Sequence, residues 1–468
     1  MFGEAGSPSV AGPTARMPRG GTCYHRAVRR ALGLGACLLA VGCGRASVHR
    51  ADPPPSVLLV LFDDLSADIG LYGGVARTPS LDRLASRGRR FDRAYCQYPI
   101  CNPSRTSLFS GWRPERTGVW GNLRNPAPWI RGAVLLQDHF ARNGYFTARV
   151  GKAYHSTFES EFRWSEAVDT YGEALDEAEA VAWGPWSADE ALLPDVVAAR
   201  NAVRILTTPR PQPVFLVLGI LKPHAPWVVP ERYLRLYDPG RTSLPASVDV
   251  PPLHAGAGTD MPREKWPEAI AAYRASATFA DAQLGAVLDA LARAGALERT
   301  VVVVASDNGF HLADHGHFGK ATLLESATRV PLVIAGPSVA RPGVPTAALA
   351  ELVDLYPTLV DLCGLPPVAG LDGVSLRPVL QDPERSVKDM ASSMLKVGAA
   401  RLGSVGRSLR TARYRYTLWP DGVEELFDYS TDPHEIANLA PVATYAETRL
   451  ALRARLQELP AVQPAPAR

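Results

Sequence analysis

The chain has 468 residues, 46% of them hydrophobic and 21% charged, the balance of a globular protein long enough for one large α/β domain with an appendage. Its 50 basic and 47 acidic residues leave a formal net charge of +3, so bulk charge points to no nucleic-acid partner and any affinity for anions must come from a local site. Of the cysteines, Cys23, Cys37 and Cys43 precede residue 44, and Cys96, Cys101 and Cys363 are spaced for neither a zinc site nor a disulfide framework.

Residues 1–43 read as a leader. "HRAVRRALGLGACLLAVGCG" has a basic start, an apolar run from Ala31 to Val41, then small residues, which is the layout of a secretory signal. The run is too short to span a bilayer comfortably. "LLAVGC" resembles a bacterial lipobox, with Ala40 where such boxes usually carry Leu. Two outcomes stay open: a lipidated Cys43 that attaches the mature protein to a membrane, or a plain cleaved signal. Either predicts export to the bacterial periplasm or cell surface. Residues 44–55 read as a linker.

A catalytic domain is expected over 56–385. "SVLLVLFDDL" opens it with an apolar run of strand length, as for a strand buried on both faces. Similar runs recur at 145–152, 213–221, 300–309 and 330–337. Helical spacing lies between them, at "SLDRLASRGRRF" (80–91), "DVVAARNAVRILTT" (195–208) and, longest, 266–295 with Gly295 near its end. The alternation predicts an α/β fold, a large mostly parallel sheet sandwiched by helices. "LKPHAPWVVPERY" and "DVPPLHAGAGTDMPREKWP" are proline-rich loops expected over an active site. After residue 385 the period falls to two in "RSLRTARYRYTLW", and "EELFDYSTDP" follows. Residues 386–455 are therefore expected to form a smaller C-terminal antiparallel-sheet subdomain, with a disordered tail at 456–468.

Ligands of open α/β sheets sit beyond the carboxyl ends of the strands. Asp63-Asp64 stand at the end of the first strand and Asp307-Asn308 at the end of a later one. Either pair alone reads as a cap or turn, but both after apolar strands suggest an all-oxygen site for Ca²⁺ or Mg²⁺. "CNPSRTSLFSG" opens a helix at Pro103-Ser104, with Cys101 at or just before its N-terminus and Arg105 one turn on. A helix N-terminus favours an anion, so a depressed thiol pKa is expected there. No histidine base lies nearby in sequence. The residues alone leave an anion-handling nucleophile and a half-buried thiol equally open. His311, His315 and His317 lack the spacing of a zinc motif and read as loop residues.

"CNPSR" followed by "TSLFSG" resembles the sulfatase signature, and the Asp-Asp and "SDNG" motifs match in the family's order. The chain is similar to formylglycine-dependent sulfatases of the alkaline phosphatase superfamily from about residue 55 to 440. Within them, "GKAYH", "LKPHAPW", the Lys of "SDNGFHLADHGHFGK" and the C-terminal "ELFDYSTDP" resemble iduronate 2-sulfatases most. Residue 308 is Asn where those enzymes can carry His, and "LADHG" replaces "LGEHG".

The resemblance implies a sulfuric ester hydrolase acting on a sulfated carbohydrate, with the 2-O-sulfate of a uronic acid as the expected target. It implies that Cys101 is converted to formylglycine by a formylglycine-generating enzyme, and that Arg105 steadies the aldehyde hydrate. It assigns Ca²⁺ to Asp63, Asp64, Asp307, Asn308 and the modified Cys101. Lys152, His155, His224 and Lys320 would surround the sulfate, with His224 the preferred proton donor and Lys320 the alternative. Singly, each of these cations also reads as a surface lysine or a structural histidine. Two rivals stay open: a phosphonate or phosphodiester hydrolase with the same nucleophile, and a non-catalytic glycan-binding protein with an unmodified Cys101.

Overall fold

The first strand, Ser56–Phe62 (β1), has no polar residue after Ser56, and the protein uses both of its faces. Val57, Leu59 and Leu61 enter one core with Leu108, Phe109, Tyr356 and Leu359. Leu58, Val60 and Phe62 enter another with Ala280, Leu284, Val287 and Leu291. The two-residue period of a strand divides one apolar run between two helical layers. The computed structural model describes residues 54–170, 182–256, 258–259, 261–398 and 405–460. The leader, Cys43, most of the linker and residues 461–468 of the tail lie outside the described residues.

Seven further strands share the sheet: Gly88–Tyr95 (β2), Phe146–Val150 (β3), Glu166–Val168 (β4), Val214–Ile220 (β5), Thr300–Ser306 (β6), Leu332–Ala335 (β7) and Thr346–Glu351 (β8). Their spatial order is β8-β2-β7-β6-β1-β5-β3-β4. All neighbours pair in parallel except β7, which is antiparallel to both β2 and β6. The sheet is thus mixed, as well as mostly parallel. The helices that matter for the site are Pro79–Ala85 (α1), Cys101–Ser110 (α2), Pro194–Thr207 (α3) and Trp266–Arg293 (α4).

The helix expected over 80–91 ends at Ala85, and Gly88 starts β2 instead. Gly88 crosses β7 so closely that a Cβ would stand 2.6 Å from the Ile334 carbonyl oxygen. Arg89 beside it is buried and donates to the carbonyls of Ala340, Val344 and Leu380. An arginine held by distant carbonyls leaves no trace in hydrophobic spacing.

The C-terminal sheet joins Met390–Lys396 (β9), Val405–Thr411 (β10), Tyr414–Leu418 (β11) and Glu424–Asp428 (β12), all antiparallel. Helix Ala446–Glu458 (α5) lays Leu452 and Leu456 against Leu409, Tyr416 and Leu426. Glu425 of β12 is buried, and its carboxyl accepts from Trp419 Nε1 at 2.7 Å. Burial lifts its pKa to about 7, against the pull of that N–H. The folded state therefore keeps a proton that the unfolded chain releases near its ordinary value of about 4. Between those limits the native state binds more protons, so stability falls as pH rises through the window. Glu425→Gln is expected to flatten this slope and to melt higher than wild type at pH about 8, by roughly 3 kcal/mol at most. Melting curves across pH check it, and an unchanged slope in the variant would rule Glu425 out as its source.

Candidate active site

Strand register assembles the first part of the site. Phe62 of β1 pairs with Ser306 of β6, so both strands stop at one level and deliver Asp63-Asp64 and Asp307-Asn308 to the same rim. Asp64 takes a left-handed conformation (φ 64°). Its N–H donates to Asp307 Oδ1 at 3.1 Å, and its carbonyl accepts from Tyr273 OH of α4 at 2.7 Å. These bonds hold a backbone state that Asp tolerates better than most residues.

Helix α2 supplies the second part. Ile100 is extended, the helix begins at Cys101, and Gly111 ends it in the left-handed region at φ 68°. Every residue of α2 is buried. Cys101 Sγ lies 3.2 Å from Asp63 Oδ1 and 3.8 Å from Asp64 Oδ1. Arg105, one turn on, donates from Nε to Asp307 Oδ2 at 2.7 Å and from Nη1 to the Lys152 carbonyl at 2.6 Å.

Cations complete it. Past β3 the backbone turns at Gly151 (φ 71°), where a Cβ would stand 2.3 Å from the Gly219 carbonyl oxygen. Only glycine permits that approach, and it sets Lys152 with Nζ donating to Asp63 Oδ2 at 2.6 Å. Lys320 Nζ donates to Asp64 Oδ1 and lies 2.8 Å from Cys101 Sγ. His224 Nε2 stands 3.9 Å from Asp64 Oδ2. His155 is half-buried, its Nδ1 has no partner among the described residues, and the charges that act on it are Lys152, Asp63, Lys320 and Arg105. The fold thus brings Asp63, Asp64, Cys101, Arg105, Lys152, His224, Asp307 and Lys320 into one cluster, with His155 near enough to feel its charges.

Charge in this cluster is tightly coupled. Burial raises Asp63, but Lys152, His224, Arg105 and Lys320 outweigh it and hold the carboxyl well below the usual range. Asp307 goes the other way, because burial and the carboxylates of Asp63 and Asp64 exceed the pull of Arg105. Burial, then Lys152, brings His155 down to about 3, so its imidazole is neutral at ordinary pH. Cys101 contradicts the expectation of a depressed thiol pKa. Burial, then Asp307 and Asp63, push it well above its ordinary value despite Lys152 and Lys320. Two carboxylates that arrive from other strands override the local helix N-terminus. As a thiol, Cys101 is a poor nucleophile here.

Asp63, Asp64, Cys101 and Asp307 each offer a ligand atom, all within 4.8 Å of one another. Asn308 donates from Nδ2 to Asp64 Oδ1 at 2.8 Å, and its buried Oδ1 has no partner among the described residues. Three carboxylates and an orphaned amide oxygen fit a hard divalent cation. The three histidines of 311–317 stay outside this set. His311 is buried, with Nε2 on Thr322 Oγ1 at 2.7 Å. Sequence reasoning missed Tyr273, which braces Asp64, and Lys222, which sits two residues from His224. Their signal was weak, since both act on backbone atoms.

A family model for sulfatases matches residues 55–365, and one for the C-terminal part of N-sulphoglucosamine sulphohydrolase matches residues 313–462. The chain belongs to the sulfatase family. As a sulfatase it is a sulfuric ester hydrolase. It is 30% identical to a sulfatase of Formosa agariphila over 90% of each chain. It is 27% identical to human iduronate 2-sulfatase, covering 73% of this chain and 75% of that one. Among solved structures, a 2-O glycosaminoglycan sulfatase superposes with TM-score 0.71 at 25% identity, covering 86% of this sulfatase and 91% of that chain. A phosphonate monoester hydrolase of Agrobacterium radiobacter shares the fold, with TM-score 0.74 at 23% identity over 86% and 95% of the two chains. The family implies a formylglycine and a divalent metal, and the Cys101 cluster is where this chain offers the groups for both.

Proposed function

We propose that this sulfatase removes the 2-O-sulfate of a uronic acid in a sulfated glycan, using formylglycine made from Cys101 and Ca²⁺ held by Asp63, Asp64, Asp307 and Asn308. The observation that carries the chemistry is that Lys152, His224 and Lys320 stand on the carboxylates of Asp63 and Asp64 beside the buried Cys101, with His155 within reach of their charges. Cys101, once converted, would supply an aldehyde hydrate as the nucleophile, and a divalent cation held by Asp63, Asp64, Asp307 and Asn308 would supply positive charge beside it.

The side chains divide the remaining work. Lys152 and Lys320 keep their protons, because burial is outweighed by Asp63 for the first and Asp64 for the second. They are fixed charges for sulfate oxygens, as in phosphoryl transfer, and poor proton donors. His155, neutral, offers an N–H to an oxygen. Arg105 keeps α2 in register with Asp307. His224 is left to protonate the departing alkoxide.

Substrate class rests on likeness to iduronate 2-sulfatases and to a 2-O glycosaminoglycan sulfatase. The test is a mass-read screen of matured enzyme against sulfated uronic-acid disaccharides, with a glucosamine sulfate and an aryl phosphodiester beside them. Loss of sulfate from the 2-O-sulfated uronate is expected to be the fastest. A faster phosphodiester, or a sulfated uronate left untouched, overturns the substrate assignment. Export, with Cys43 as a lipid anchor, belongs to the same reading and rests on the leader pattern. Fractionation of the producing cells locates the protein.

A further inference from the structure

Lys222 stands two residues past β5 and is buried. Its ammonium donates to the His224 carbonyl at 3.3 Å and to the Pro226 carbonyl. The carbonyl between them, Ala225, lies 2.7 Å from Nδ1 of His224. A carbonyl only accepts, so Nδ1 carries a proton, and Nε2, 3.9 Å from Asp64 Oδ2, is the nitrogen turned to the site, whose own proton in the imidazolium is the one to be donated. Three successive carbonyls are therefore held, the outer two by Lys222 and the inner one by the catalytic ring. The loop is pinned at both ends as well. Asp195 of α3 accepts the N–H groups of Leu221 at 2.7 Å and Lys222 at 3.0 Å, and Trp227 Nε1 donates to the Pro223 carbonyl at 2.7 Å.

A buried ammonium is costly unless a partner offsets the lost hydration. Among the described residues, the Lys222 ammonium has carbonyls for hydrogen-bond partners, and Asp195 spends its oxygens on backbone N–H groups. A neutral or apolar side chain would serve packing alone at less cost. We propose that Lys222 is the positioning residue of His224: it holds the carbonyls on either side of Ala225, and so fixes the imidazole with Nε2 toward the leaving-group oxygen. This rests on the reading of His224 as proton donor. Burial brings Lys222 down to about 8, which still leaves it charged at neutral pH.

The test compares leaving groups, since an activated phenolate departs without help and an alkoxide does not. Full-length matured wild type, Lys222→Met, Lys222→Arg and His224→Gln are assayed on para-nitrophenyl sulfate and on an unactivated sugar sulfate that the wild type hydrolyses. His224→Gln is expected to lose about 10²–10³-fold in kcat/KM on the sugar sulfate and less than about tenfold on the aryl ester. Lys222→Met should show the same split at about 10–100-fold, mainly in kcat, and Lys222→Arg should restore part of it. Lys222→Gln replaces the Met variant if that does not fold. Equal losses on both esters in Lys222→Met where His224→Gln shows the split, or full activity on the sugar sulfate, overturn the positioning role. If His224→Gln itself shows no split, the proton-donor reading fails. Lys222 as positioning residue then stands only if its variant reproduces the His224→Gln profile.

Discussion

Cys101→Ser is expected to fold normally and to lose roughly 10⁴-fold or more in sulfatase activity. The fold has little reason to object. Ser is a close match in shape, and its hydroxyl can meet the same Asp63 and Lys320 atoms that now lie 3.2 and 2.8 Å from Sγ. Chemistry is another matter. Serine offers one oxygen where a hydrated aldehyde offers two. A sulfated serine must therefore wait for water to attack sulfur. The unmodified thiol fares no better, because burial and the nearby carboxylates keep it protonated. Mass analysis of the tryptic peptide around Cys101, from a host with the maturation enzyme, reports whether the aldehyde is present. Steady-state kinetics of the variant report whether it is needed. Full activity in Cys101→Ser, or a plain thiol throughout a fully active preparation, would sink the formylglycine assignment.

The parts of this site that could be read in the sequence are those set by local pattern. Uninterrupted apolar runs marked β1 and β6, and an acidic pair after each marked the rim. Pro103 and the residues after it marked α2, which starts at Cys101, two residues ahead of the expected opening at Pro103. What escaped depended on residues far apart in the chain. The reversed direction of β7 is set by its partners β2 and β6 and not by its own composition. The thiol pKa was misread because the helix N-terminus is local, whereas Asp63 and Asp307 reach Cys101 through the tertiary fold. Lys222 escaped because its partners are carbonyls, which every residue carries. The resemblance to sulfatases closed part of this gap, since a five-residue signature carries chemistry that no spacing rule encodes.

Removing divalent cations from the wild type is expected to abolish most activity, and Ca²⁺ to restore it. Asp63, Asp64 and Asp307 crowd three carboxylates into a buried space, and Arg105, Lys152 and Lys320 supply the positive charge that answers them. Lys152 and Lys320 are also assigned to sulfate. A sulfate ester that draws on Lys152 and Lys320 takes charge away from the carboxylates, and Oδ1 of Asn308 has no partner among the described residues. A resident divalent ion relieves both problems. Asp307→Ala removes one carboxylate along with the Arg105 contact at 2.7 Å and is expected to cost about 10²–10³-fold in kcat or more. Melting supplies a readout independent of turnover. An ion that binds only the folded chain adds about 2.7 kcal/mol at a hundredfold excess over its Kd, so Ca²⁺ should raise the wild-type Tm and leave that of Asp307→Ala nearly unmoved. A wild type whose turnover and melting both ignore chelation would mean that three lysine and arginine charges suffice for the carboxylates. Sulfate would then have to be held by cations that are already committed.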